Sequence, residues 1–235
     1  MSIAAKKYFG QHFLINQKIA IQIVESLNLK QCDNIIEIGP GKGVLTKLLI
    51  KKSSNIKLIE IDIDCVDIIK HKFHNIQVIH ADFLQLDLTK IGFQKYNIIG
   101  NFPYNISSLI LFKILEHRNS VIEVVGMFQK EVADRICSQP NSKKYGILSV
   151  LIQAYFNCEQ LFDVDAGNFK PIPNVQSSVI KLTRNETLDL GCEYSDFLQV
   201  VKACFSQRRK KIKNALKNFT NLNDVNIKDD LSKRA

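Results

Sequence analysis

The feature that most restricts how this chain can fold is a glycine-rich turn, Glu37-Ile-Gly39-Pro-Gly41-Lys-Gly43, wedged between an apolar run and a helical pattern. Asn34-Ile-Ile-Glu-Ile38 reads as a buried strand and Val44 to Lys51 as a helix. Glycines at such a junction let the backbone turn tightly and bring bare N–H groups up to a ligand at a helix N-terminus. That geometry belongs to nucleotide-type pockets on parallel α/β sheets. The spacing is not the dinucleotide fingerprint G-x-G-x-x-G, because the third glycine comes one residue early and Pro40 stiffens the loop.

The alternation of strand and helix continues along the chain. An amphipathic helix over Gln17 to Leu29, with Asn16 as N-cap, precedes the turn. After it come a strand at Ile56 to Ile61, a helix at Asp64 to Phe73 and a strand at Ile76 to Ile79. Tyr96 to Gly100 and Val121 to Phe128 read as strands, each followed by a helix, Ser107 to Glu116 and Lys130 to Cys137. This order predicts a mostly parallel, doubly wound sheet. Ile147 to Phe156 reads as a further helix. Gln160 to Val164 and Gln176 to Thr183 then follow with no helix between them, which predicts an antiparallel edge hairpin. Beyond Asn185 only helical patterns remain, Ser195 to Phe205 and Lys210 to Phe219. A boundary is placed there: residues 1–184 form the ligand-binding α/β domain and 185–235 a small, helical, basic one.

Successive strands end in chemistry. Glu60 closes the strand after the glycine turn, where a carboxylate holds a ribose diol. Asp82 closes the next, where it can accept a bond from an adenine amine. A carboxylate at one strand end is usually only solvated. Three consecutive ends carrying glycine turn, Glu and Asp point to a nucleoside cofactor, and a nicotinamide stays open on this evidence alone.

The fourth strand end carries Asn101-Phe102-Pro103-Tyr104. The lone pair of an exocyclic adenine amine is drawn into the ring, so an enzyme acting there must hold the amine hydrogens with acceptors. The Asn101 side-chain oxygen and the Pro103 carbonyl can supply them. The fixed φ of Pro103 stiffens the loop, and Tyr104 offers a face for a flipped base. Aromatic faces and carbonyl dipoles also stabilise the cation that develops when such an amine accepts a methyl group from a sulfonium. No metal is required.

Several classes are excluded by composition. No apolar run approaches the roughly 18 residues needed to cross a bilayer, and nothing in Met1 to Gly10 has the length of a signal peptide core, so a cytoplasmic protein is expected. Six cysteines lie scattered without a C-x-x-C pair or metal-ligand spacing, and read as reduced thiols. A net charge of +9 suits an acidic partner, and its densest block is Gln207 to Lys217. Arg208, Arg209, Lys210 and Lys211 in that block are read as phosphate contacts on a helix whose apolar side carries Ile212, Ala215 and Leu216.

Taken in order, Lys7-Tyr-Phe-Gly-Gln-His-Phe-Leu14, Glu37 to Gly43, Asn101 to Tyr104, Phe169 to Val179 and Phe205 to Lys210 resemble the KsgA family of small-subunit ribosomal RNA adenine dimethyltransferases. The resemblance runs from about Lys6 to Lys217. It implies a class I, Rossmann-like methyltransferase fold and S-adenosylmethionine as cofactor. The small ribosomal subunit, through its 16S rRNA, is the implied partner, with neither DNA nor a membrane, and a monomeric enzyme is expected; a large-subunit adenine dimethyltransferase of the resistance type and a non-catalytic ribosome-assembly factor are the alternatives. His12 and Leu14 would cover the methionine end of the cofactor, Gly39 and Gly41 would lie against it, Glu60 would take the ribose and Asp82 the adenine. Asn101 would touch cofactor and target. Tyr104 and Phe169 would sandwich the target base, with Phe102 and Pro103 completing the pocket. His12 stands where Asn is also common, and Phe102 where Leu is more usual.

Overall fold

A computed structural model describes residues 5–187 and 189–216. In chain order the elements are β1 (Phe13–Leu14), α1 (Gln17–Glu25), β2 (Ile35–Ile38), α2 (Thr46–Leu49), β3 (Ile56–Glu60), α3 (Ile63–Lys72) and β4 (Gln77–His80). They continue with β5 (Tyr96–Asn101), α4 (Ser107–Glu116), β6 (Val121–Gln129), α5 (Lys130–Cys137), α6 (Ile147–Gln153), β7 (Phe156–Val164), β8 (Phe169–Lys170), β9 (Ser177–Arg184), α7 (Tyr194–Ser206) and α8 (Ile212–Ala215). Seven strands form one sheet in the order β4-β3-β2-β5-β6-β9-β7. Pairings from β4 through β6 are parallel, and β9 inserts antiparallel between β6 and β7.

The central strands β2, β5 and β6 are buried on both faces, and because successive residues point to opposite sides they feed two apolar layers. Ile36, Ile98 and Val124 join one cluster with α4, α5 and α6, while Ile35, Ile99 and Val125 join another with α1, α2 and α3. Val201 of α7 packs into the first cluster. Asn16 caps α1 by accepting from Lys18 N at 2.9 Å, and Asp62 caps α3 by accepting from Asp64 N.

Three departures from the sequence reading go beyond a shift of one or two residues at an element's end. The first helix ends at Glu25, not Leu29, because Asn28 N leaves the helical path to donate to Glu123 Oε1 on β6 at 2.7 Å. The helix begun at Ile147 stops at Gln153, and Phe156 opens β7, paired opposite Arg184. Its polar residues Asn157, Glu159 and Gln160 sit on an edge strand, where one side of the ladder meets water and apolar alternation is weak. In the basic block, Arg208 to Lys211 lie in a turn ahead of α8, not on a helix, and the expected helix beyond Leu216 lies outside the described residues. Among the described residues no helix is long and apolar enough to cross a membrane.

Candidate functional site

All the parallel strands end on one edge, so their terminal residues meet. Gly39, Gly41, Glu60, Asp82, Asn101, Phe102, Pro103 and Tyr104 line a single cavity, with His12 and Leu14 closing it from the N-terminal strap. Gly39 and Gly41 have φ of +64° and +54°, a backbone that other residues rarely adopt. A Cβ on Gly39 would meet nothing within 4 Å, so its backbone faces open space, whereas one on Gly41 would press on the Phe13 ring at 3.0 Å.

Glu60 is 5% exposed and holds the glycine turn in shape. Its Oε2 accepts from Gly41 N at 3.0 Å and its Oε1 from Asp62 N at 2.9 Å. Burial raises its pKa against those backbone bonds. Glu37, 1% exposed, lies beside it in the cavity wall and accepts from Thr46 Oγ1 at 2.7 Å. Burial, with Glu60 adding repulsion, pushes its carboxyl up to about 8. Asp82 uses one oxygen to accept from Leu84 N at 2.9 Å, which shapes its own turn.

The Asn101 loop is built on a pair of glycines. Gly100 and Gly126 face each other across β5 and β6, and a Cβ on Gly126 would come within 2.4 Å of the Phe102 ring. Phe102 therefore sinks beneath the loop, edge-on to Phe128 at 5.0 Å, and is 1% exposed. Asn101 Nδ2 donates to His12 O at 2.8 Å. A carbonyl can only accept, so this bond fixes the amide's orientation and leaves Oδ1 as an acceptor. The Tyr104 hydroxyl is hydrogen-bonded to Ser177 Oγ.

Two residues read as site residues from the sequence are placed differently. Phe169 does not line the cavity. It pairs with Leu14 across β1 and β8, is 1% exposed and belongs to the core cluster under α1, α2 and α3. The ring opposite Tyr104 is instead that of His12, stacked at 5.4 Å and 24°, with its Nδ1 2.9 Å from Pro171 O. Arg208 spends its guanidinium on protein carbonyls, Ser142 O at 2.8 Å and Lys143 O at 3.1 Å. Arg209, Lys210 and Lys211 have no salt bridge among the described residues.

The strap's anchor escaped the sequence reading. Lys6 Nζ and Gln11 Nε2 each donate to a different oxygen of Asp62, at 2.5 and 2.7 Å. Burial alone would raise the Asp62 pKa, and these two donors outweigh it and hold the carboxyl below its usual value. No local pattern could reveal pairs 51 and 56 residues apart.

The cavity suits a nucleoside cofactor: a bare glycine backbone and acceptor carboxyls, Glu60 and Asp82, at two successive strand ends. S-adenosylmethionine has that chemistry. Glu60 would hold its ribose, Asp82 its adenine, and Gly39 and Gly41 would lie along it. Fold and site together define a class I S-adenosylmethionine-dependent methyltransferase. A family model described as ribosomal RNA adenine dimethylase matches residues 3–231, and the chain belongs to that family. The "Ribosomal RNA small subunit methyltransferase A" of Cytophaga hutchinsonii is 48% identical over 97% of this chain and 89% of its own. That of Flavobacterium johnsoniae is 47% identical over 97% and 88%. Among solved structures, a dimethyladenosine transferase from Plasmodium falciparum superposes with a TM-score of 0.78 at 27% identity, covering 94% of this chain and 86% of that one. The 23S rRNA methyltransferase ErmE gives 0.70 at 27% identity, over 87% and 83%.

Proposed function

We propose that the enzyme transfers methyl groups from S-adenosylmethionine to the N6 amines of two adjacent adenines near the 3′ end of small-subunit (16S) rRNA, giving N6,N6-dimethyladenosine during small-subunit biogenesis. It acts as a cytoplasmic monomer on the small ribosomal subunit. Residues 185–235 form a basic unit that assists RNA binding through Arg209, Lys210 and Lys211.

The observation that carries this reading is the Asn101 amide, whose bond to His12 O engages Nδ2 and leaves the acceptor Oδ1 free of that contact beside the cofactor cavity. Oδ1 and the Pro103 carbonyl hold the two N6 hydrogens, which aims the amine lone pair away from them. When bound, S-adenosylmethionine supplies the electrophilic methyl group. The N6–C bond would form as the S–CH3 bond of the sulfonium breaks to leave a neutral thioether, and the amine would lose one proton, its growing positive charge meanwhile lying against the Asn101 and Pro103 acceptors. The face of Tyr104 stacks the base and stabilises the same charge. Phe169 supplies the opposite wall once His12 moves off Tyr104 and the Phe169 ring turns out of its buried place. Phe102 acts from beneath, holding Pro103 and Tyr104 in place.

The test is transfer of labelled methyl groups to small ribosomal subunits lacking adenine dimethylation, with large subunits and DNA as controls, followed by mass analysis of the nucleosides. Dimethyladenosine from small subunits alone is the expected result. Label in large subunits overturns the substrate, and binding without label overturns the catalytic reading.

A further inference from the structure

We propose that the enzyme grips RNA phosphates with a surface assembled from two distant segments, the α5–α6 loop at Lys143 and the turn at Arg209 to Lys211, and that Arg208 is the clasp joining them. The inference rests on the reading of RNA as substrate and assigns Arg208 a positioning role in place of a phosphate contact.

Arg208 reaches back 65 residues. Its Nη1 and Nη2 donate to the carbonyls of Lys143 and Ser142, and its guanidinium lies over the Phe205 ring at 5.8 Å. The same ring sits 6.2 Å from Tyr145, so an aromatic contact backs the two hydrogen bonds. Two adjacent carbonyls are matched by a planar fork of donors, which a lysine ammonium does not reproduce. The guanidinium is thus turned toward the protein.

The clasp holds an exposed loop. Gln139, Pro140, Asn141, Lys143 and Lys144 are all exposed, and Asn141 adopts φ +69°. The two lysines differ. Lys144 is neutralised by Asp134 at 2.7 Å, which also faces Lys130 at 3.6 Å. Lys143 has no salt bridge among the described residues, and neither do Arg209, Lys210 and Lys211 on the other side of the clasp. Lys143, Lys210 and Lys211 are exposed. Un-neutralised cations on two segments pinned together fit a polyanionic backbone, and each phosphate contact releases counterions and steepens the salt dependence of binding.

The experiment measures binding of the full chain to undimethylated small ribosomal subunits across a salt series, for wild type, Lys143→Ala, Lys144→Ala, Arg208→Lys, Arg208→Ala and Lys143→Ala/Arg208→Ala. Lys143→Ala should shallow the log–log salt slope by about 0.7 to 0.9, one phosphate contact, and Lys144→Ala should leave it unchanged. Arg208→Lys keeps the charge and loses the fork, so it should shallow the slope at least as much as Lys143→Ala. The double variant should bind like Arg208→Ala alone, because the clasp already controls Lys143. Hydrogen exchange of the 141–145 amides should accelerate in both Arg208 variants with the rest of the protein unchanged. A wild-type slope for Arg208→Lys, or losses from Lys143→Ala and Arg208→Ala that add in full, would overturn the clasp. A wild type that fails to bind would instead overturn the RNA reading on which the clasp rests.

Discussion

Glu37 offers the sharpest quantitative test, because its carboxyl is buried in the cavity wall and pushed up to about 8 from its ordinary value of 4.5. The sign follows from proton counting. Between those values the folded protein keeps a proton on Glu37 that the unfolded chain has released, so stability falls as pH rises through the window. One proton corresponds to about 1.4 kcal/mol per pH unit, so between pH 5 and pH 8 this group lowers stability by up to roughly 4 kcal/mol. Glu37→Gln is neutral at every pH and keeps an oxygen for the Thr46 hydroxyl, so it carries no such slope. The measurement is urea unfolding of both proteins at unit steps from pH 5 to pH 9. Near pH 5 the two should lie close together, and the variant should gain on the wild type with each step until the difference levels off above pH 8. A stability difference that does not change with pH across that range refutes the argument, since it would mean Glu37 ionises equally in both states. The slope should also respond to Glu60→Gln, because repulsion from Glu60 is one cause of the Glu37 shift.

The other predictions concern the site's walls. Asn101→Ala should slow methyl transfer by at least about 100-fold, with RNA affinity in a filter-binding assay almost unchanged; an equal loss of RNA affinity would overturn its role as amine acceptor. Gly10→Ala should lower Tm by roughly 2–8 °C and weaken cofactor binding, since Gly10 has φ +63° and an added Cβ would lie 2.5 Å from Asn105 Oδ1. Unchanged melting and calorimetric affinity would show that the strap is not seated there. Phe169→Ala should cost about 3–5 kcal/mol of stability as a core truncation, so its stacking role is tested with Phe169→Leu, which should fold and bind cofactor but transfer slowly. Full activity in that variant would exclude the ring as a base wall.

The secondary structure was legible where a residue's surroundings repeat with the period of its own element. Ser107–Glu116 and Lys130–Cys137 match the sequence reading at both ends, because each helix carries an apolar stripe against the buried centre of the sheet. The reading slipped at β7, whose outer ladder meets water and selects little apolar alternation. Site residues at strand ends were legible for a topological reason, since a parallel sheet brings every carboxyl end to one edge. Contacts that close the site over long sequence separations were not. Gln11 meets Asp62, Tyr104 meets Ser177 and Arg208 meets Lys143, and none leaves a periodic trace. Resemblance named Phe169 as a base wall, yet its ring is covered and His12 takes the place opposite Tyr104. His12 directly precedes the two-residue pairing of Phe13 and Leu14 with β8, so a movement of the strap that lifts His12 off Tyr104 also pulls on the pairing to which Phe169 belongs. Which residues meet at the cavity follows from chain topology, whereas the placing of His12 against Tyr104 rests on a few hydrogen bonds of the strap, to Asp62, Asn101 and Pro171.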